Sequence, residues 1–191
     1  YVAYAQKHNQ KTLATIWPHA NWEQKSCKRR KASSPFGRKF TKYLSKPCSM
    51  ENYKIFLTKL VDRYDGDGKN DMPGLTKPIK HWQIMNEPEF KMFFKGKEDE
   101  FVEIFNFSSE LIRSKQKDAV IVMAGAAGMF PENKRFWKSA LPKIKNHFDI
   151  AAIHHITPPD GKCDKELWVD EFSSLLKNLD INKPIWVTEA M

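Results

Sequence analysis

The chain has 191 residues, 41% hydrophobic and 13% aromatic, with 32 basic against 23 acidic residues and a net charge of +9. That length buries a real core and makes one domain, 1–191, the default, while no apolar run approaches the roughly 18–20 residues of a helical membrane span. The charge is local: Lys25, Lys28, Arg29, Arg30, Lys31, Arg38, Lys39, Lys42 and Lys46 contain no acidic residue between them, and the rest balances at 23 against 23, so a globally basic nucleic-acid binder is not indicated.

In chain order, Tyr1–Asn9 reads as the end of a helix and Thr12–Trp17 as a strand that Pro18 stops. A basic, irregular insertion over residues 25–49 follows, either a solvated loop or a contact for a polyanion such as an acidic polysaccharide. Ser49 offers an N-cap to a helix over Met50–Tyr64 with Ile55, Phe56, Leu60 and Val61 at helical spacing. Gly66, Gly68, Pro73 and Gly74 break the chain before a strand at Lys80–Asn86. Glu98–Lys115 is an amphipathic helix striped by Phe101, Ile104, Phe105, Ser108, Leu111 and Ile112. A strand at Ala119–Ala124, a helix at Asn133–Lys145 that Pro142 should end or kink, a strand at Phe148–Ile156, a helix at Asp164–Leu179 and a strand at Pro184–Thr188 complete the pattern.

Crossovers of more than a dozen residues force parallel pairing, and near-continuous apolar strands imply cover on both faces. No glycine-rich phosphate loop follows any strand, which favours a βα barrel over a nucleotide-binding open sheet. The expectation is an α/β fold: a (β/α)8 barrel represented by about five parallel strands.

Functional groups of such a barrel sit at the carboxyl ends of its strands. Glu87 closes His81-Trp82-Gln83-Ile84-Met85-Asn86-Glu87-Pro88, and Glu189 closes Pro184-Ile185-Trp186-Val187-Thr188-Glu189. His19, Asn21 and Trp22 follow the first strand, and His154 and His155 end the fourth. Two carboxyl groups about 5–5.5 Å apart on one scaffold are what double displacement at a glycosidic bond requires. Their like charges disfavour simultaneous ionisation, so one holds a proton and can act as acid.

Asn86-Glu87-Pro88 preceded by Trp82, and Thr188-Glu189 preceded by Trp186, resemble the retaining glycoside hydrolases of clan A. These carry the acid/base on the fourth barrel strand and the nucleophile on the seventh; here two strands intervene, as the clan demands. The Asn-Glu-Pro-Glu wording looks most like the β-xylosidase/iduronidase or cellulase/mannanase branches. The resemblance implies Glu87 as acid/base, Glu189 as nucleophile, Asn86 as donor to a sugar 2-hydroxyl, and a carbohydrate substrate. It also implies that the visible strands are the third to seventh. On the sixth the family often places His and Tyr two residues apart; here His154 is present and Ile156 stands at the position of that Tyr.

By alternation Trp82 and Trp186 should lie outward under helices, leaving Trp17, Trp22, Phe90, Phe93 and Phe94 as candidates for stacking on sugar rings. Asp65, Asp67, Lys69 (through its carbonyl) and Asp71 partly resemble a calcium loop, although Thr76 stands where the twelfth-position Glu belongs; the ion would be structural, and no other cofactor is expected. Cys27 and Cys48 bracket the basic segment and suit a disulfide, which implies either an oxidising, secreted or extracellular setting or a hyperthermophilic source; Cys163 is left over and expected to be inert. The competing class is a non-catalytic carbohydrate-binding or scaffolding barrel.

Overall fold

The computed structural model describes residues 1–27, 44–155 and 168–190. Most of the basic insertion, Ile156 and Cys163 therefore lie outside the described residues. Along the chain run α1 (Val2–Lys7), β1 (Leu13–Ile16), α2 (Asn21–Ser26), α3 (Met50–Asp62), β2 (His81–Ile84), α4 (Glu98–Lys115), β3 (Val120–Val122), α5 (Pro131–Ile144), β4 (Ala151–His155), α6 (Val169–Asn178) and β5 (Ile185–Ala190). Among the described residues every strand pairing is parallel, in the order β1-β2-β3 and β4-β5. Isolated parallel bridges, Val122 to Ile150 and Ala126 to Ile153, connect β3 to β4. The strands thus lie side by side in sequence order, each reached by a crossover.

The two strand faces have different partners. Trp82, Ile84, Ile121, Ala151 and Ile153 join Phe101, Ile104, Phe105, Trp137, Leu141 and Phe148 in one large core under α3, α4, α5 and α6. Val122, Ile150 and Ala152, with Leu13 and Val120, form a small cluster on the opposite face. In a flat sheet β2 and β5 would stand about 14 Å apart, three spacings of one strand. Yet the His81 and Trp186 rings lie 5.3 Å apart, so this second face is the inside of a strongly curled sheet. Trp186 consequently points inward, pairing beside Ala152, and the outward orientation expected from simple alternation is corrected. Trp82 does lie outward, buried, with its Nε1 donating to Gln116 Oε1 at 2.9 Å.

The helices follow their sequence signals with two exceptions. Ser49 caps α3, its Oγ accepting from Asn52 N at 3.1 Å. The buried stripe of α3, however, is Tyr53, Leu57 and Val61, whereas Ile55 and Phe56 are 47% and 49% exposed. Tyr53 can be core because its hydroxyl finds Ser108 Oγ at 2.8 Å, as a buried phenol requires. Pro142 neither ends α5 nor stops its packing; the helix runs on to Ile144. Glu100 at the third position of α4 accepts from the Lys97 N–H at 2.8 Å, and Glu98, Asp99 and Glu100 all suit the positive helix start. Arg113 of α4 donates to both oxygens of Asp149, which also accepts from Ile121 N at 2.8 Å, fastening α4 to the β3 and β4 region.

Cys27 and Cys48 form a disulfide with Cα atoms 5.8 Å apart. It joins the end of α2, a short helix that runs into the stretch expected to be irregular, to the residues that start α3. Lys46 is ion-paired with Glu103 of α4.

Trp82→Phe removes the indole N–H, leaving the buried Gln116 oxygen without its donor, and with it part of the ring, leaving a void in the core. Trp82→Phe should therefore lower unfolding free energy by about 1–3 kcal/mol, measured by chemical denaturation; a loss below about 0.5 kcal/mol would show the bond to be dispensable.

Candidate active site

Strand β2 leaves regular geometry where its chemistry begins. Met85 and Glu87 have φ of 66° and 43°, in the left-handed region that side chains other than glycine rarely adopt. The turn is held by Glu87 N–H donating to Gly125 O at 3.0 Å, by the bridge from Asn86 to Gly125, and by Phe90 N–H donating to Glu87 O at 3.0 Å. Glu87 ends up buried, with Oε1 2.6 Å from His154 Nδ1 on β4. Gly125 permits this, since a Cβ there would sit 1.9 Å from His154 Nε2.

Strand β5 delivers Glu189 by a different device. Val187 pairs with Ile153 and Glu189 with His154, so Thr188 is an extra residue bulged out of the ladder. The bulge turns Glu189 to the same inner face as Trp186 although they are three positions apart. Its Oε2 lies 3.6 Å from His154 Nδ1, and its side chain is 44% exposed. Glu87, His154 and Glu189 each present an atom within 4.8 Å of the other two. A half-open carboxylate facing a buried, hydrogen-bonded carboxyl across one imidazole is a layout suited to attack on one side and proton delivery on the other. The same three side chains are also a ligand set a divalent cation such as zinc could use.

The remaining predicted residues are distributed as follows. Asn86 is partly exposed beside Glu87, its Oδ1 accepting from Gln83 Nε2 at 3.2 Å. His19 and Trp22 line a separate, mainly apolar cavity of about 310 Å³ with Trp17, Tyr53 and Phe56, which none of Glu87, His154 and Glu189 lines. Asn21 opens α2. Trp17 approaches Phe93 at 6.0 Å between ring centroids, linking the loops after β1 and β2. Phe94 is fully buried, its ring filling the space where Gly96 lacks a side chain; it is core, and its reading as a sugar-stacking residue is withdrawn.

Asp65, Asp67 and Asp71 also bring oxygens within 4.8 Å of one another. Asp71 accepts from Gly66 N at 3.0 Å and Gly68 N at 2.8 Å, and Asp67 from Lys69 N at 2.7 Å. Burial raises the Asp65 pKa first, offset by the Asp67 N–H and reinforced by the charges of Asp67, Asp71 and Asp62.

Sequence reasoning quoted Glu89 within Asn-Glu-Pro-Glu without giving it a role. Its Oε1 accepts from Ala127 N at 2.7 Å and from Trp137 Nε1 at 3.0 Å, while Oε2 is buried with no partner among the described residues. The available signal was a lone carboxylate heading an aromatic run, Phe90, Phe93 and Phe94.

No family model and no curated protein sequence matches the chain. Solved structures do. The chain superposes over its whole length on a glucosidase from Croceicoccus marinus at TM-score 0.68 and 15% identity, covering 36% of that chain. It matches a family 51 α-L-arabinofuranosidase from Bifidobacterium longum over 99% of its length at 0.62 and 14% identity, covering 37% of it. A GH39 β-xylosidase from Caulobacter crescentus matches over 78% at 0.52 and 14% identity. The chain thus spans about a third of the length of these structures and shares the fold of that part of glycoside hydrolases.

Burial raises the Glu89 carboxyl from 4.5 to about 7; its bonds from Trp137 and Ala127 oppose this and the Glu87 charge adds to it. The folded chain therefore keeps a proton that the unfolded chain has released. The stability from this group is complete below about pH 4.5 and is lost as pH rises through about 7, at most about 3 kcal/mol. Melting temperature should fall between pH 5 and pH 8 more steeply in the natural chain than in Glu89→Gln; parallel profiles would contradict the assignment.

Proposed function

We propose that this chain carries the catalytic pair of a retaining glycoside hydrolase built on a (β/α)8 barrel, acting on an oligosaccharide or polysaccharide. The observation that carries the reading is the convergence of Glu87, His154 and Glu189 within 4.8 Å. An approach this close supports retaining hydrolysis, whose carboxyl groups lie about 5–5.5 Å apart, over inversion, whose carboxyl groups stand about 6.5–9.5 Å apart. The fold shared with three glycosidases supports it.

In the first step Glu189 attacks the anomeric carbon while Glu87 gives its proton to the departing glycosidic oxygen, leaving a glycosyl ester on Glu189. In the second, Glu87 takes a proton from water, whose oxygen displaces Glu189 at the same carbon. His154, bonded to Glu87 through Nδ1, keeps the acid/base carboxyl facing the cleft through both transfers. Asn86 directs its free amide N–H at the sugar 2-hydroxyl, a contact that strengthens in the transition state. The Cys27–Cys48 disulfide supports a secreted or extracellular setting. A structural calcium at the Asp65–Asp71 loop, with the Lys69 carbonyl as a further ligand, is a separate proposal, motivated by the crowded charges there.

Incubation with 2-deoxy-2-fluoroglycosides of several sugars should leave a mass adduct on the Glu189 peptide, and Glu189→Gln should abolish labelling and turnover. Glu87→Gln should slow hydrolysis by about 10²–10⁴. No adduct and no turnover with any sugar would favour a non-catalytic carbohydrate-binding or scaffolding role, and unchanged activity in both variants would assign the catalysis to other residues. Millimolar calcium should raise the melting temperature of the natural chain; an unchanged melting curve would remove the calcium proposal.

A further inference from the structure

The strained turn at Glu87 is tied to its neighbours at two points. The main chain of Glu87 bonds Gly125 O, but Pro88 has no N–H to continue the pairing. The next tie is a side chain: Glu89 Oε1 takes the Ala127 N–H and the Trp137 Nε1–H together. Between those anchors, Ala126 O accepts from His154 N at 2.8 Å. Residues 125–127 therefore act as a spacer, fastened to Glu87 and Glu89 on one side and to His154 on the other. Trp137, fully buried in α5, anchors the spacer to the core. Glu89 Oε2 is buried without a partner among the described residues, so the carboxyl is retained here at a cost to stability that an apolar residue would avoid.

We propose that Glu89 is the positioning residue of the acid/base: by holding residues 87–89 against 125–127 and Trp137, it fixes the aim of the Glu87 carboxyl relative to His154 and the departing oxygen. The inference rests on Glu87 being the acid/base. Removing the Glu89 acceptor frees the turn, and proton delivery suffers while nucleophilic attack by Glu189, held separately on β5, does not.

Aryl glycosides of unequal leaving groups separate these effects, because a 2,4-dinitrophenolate departs without protonation and a phenolate needs the acid. In the full chain, kcat/KM would be measured on phenyl and 2,4-dinitrophenyl glycosides of glucose, xylose and arabinofuranose. Glu89→Ala should lose about thirtyfold or more on the phenyl glycoside that the natural protein hydrolyses, but less than about threefold on its dinitrophenyl counterpart. Glu89→Gln, which keeps the Oε1 acceptor, should recover most of the phenyl rate. Trp137→Phe, which removes one donor and keeps a ring in the core, should show a smaller loss of the same selectivity, and decides the matter if Glu89→Ala does not fold. Equal losses on both leaving groups, or no loss on either, would overturn the inference while leaving the glycosidase reading intact. A natural protein inert on every glycoside of the panel would overturn that reading and this inference with it.

Discussion

The site depends on one constraint: two carboxyl groups from strands that are not neighbours must meet at a single imidazole nitrogen. Regular strands would not bring them there. On β5, the bulge at Thr188 reverses the alternation that would otherwise send Glu189 to the helix side, since a shift of one residue exchanges the two faces of a strand. On β2, left-handed backbone at Met85 and Glu87 folds the strand end over towards β4, at a cost of order 1–3 kcal/mol per residue. His154 occupies the point where both irregularities aim, and Gly125 vacates the volume its ring needs. Backbone strain of this kind persists only where surrounding contacts over-determine it.

Those contacts come from the outer layer. The large aromatic core under α4 and α5, with Phe101 and Trp137 packed edge-on at 5.8 Å, fixes the helices against the strands. Trp137 then reaches from that core to Glu89, two residues beyond Glu87. Arg113 and Asp149 fasten α4 to the start of β4. A rigid scaffold of this sort lets a strained, polar cleft exist at strand ends, where a looser one would relax it.

Much of the scaffold was legible in the sequence because its signals are local. The apolar runs of the five strands, the crossover lengths and the Glu98–Lys115 stripe each follow from side-chain periodicity alone, and the structure has these elements with parallel strands in sequence order. Signals that depend on distant partners failed. The α3 stripe reads from the sequence as Ile55, Phe56, Leu60 and Val61; Val61 is buried, but Tyr53 and Leu57 are buried where Ile55 and Phe56 are exposed, and the choice turns on Ser108 of another helix. Trp186 was placed outward by strict alternation, which held at Trp82 and fails where the sheet curls towards His81. Phe94 looked like a stacking ring until Gly96 was seen to make room for it. Within the site, Glu87, His154 and Glu189 were named from motif and strand position and do come together. Asn86 adjoins them, His19 and Trp22 line a different cavity, and Glu89 was passed over because its partners, Ala127 and Trp137, are far along the chain.

The close approach of Glu87 and Glu189 makes one stereochemical commitment. Proton NMR of the reaction, recorded before mutarotation, would identify the anomer of the sugar first released from a substrate of known configuration. Double displacement at Glu189 predicts release of the same anomer as the substrate; first release of the opposite anomer would contradict the account.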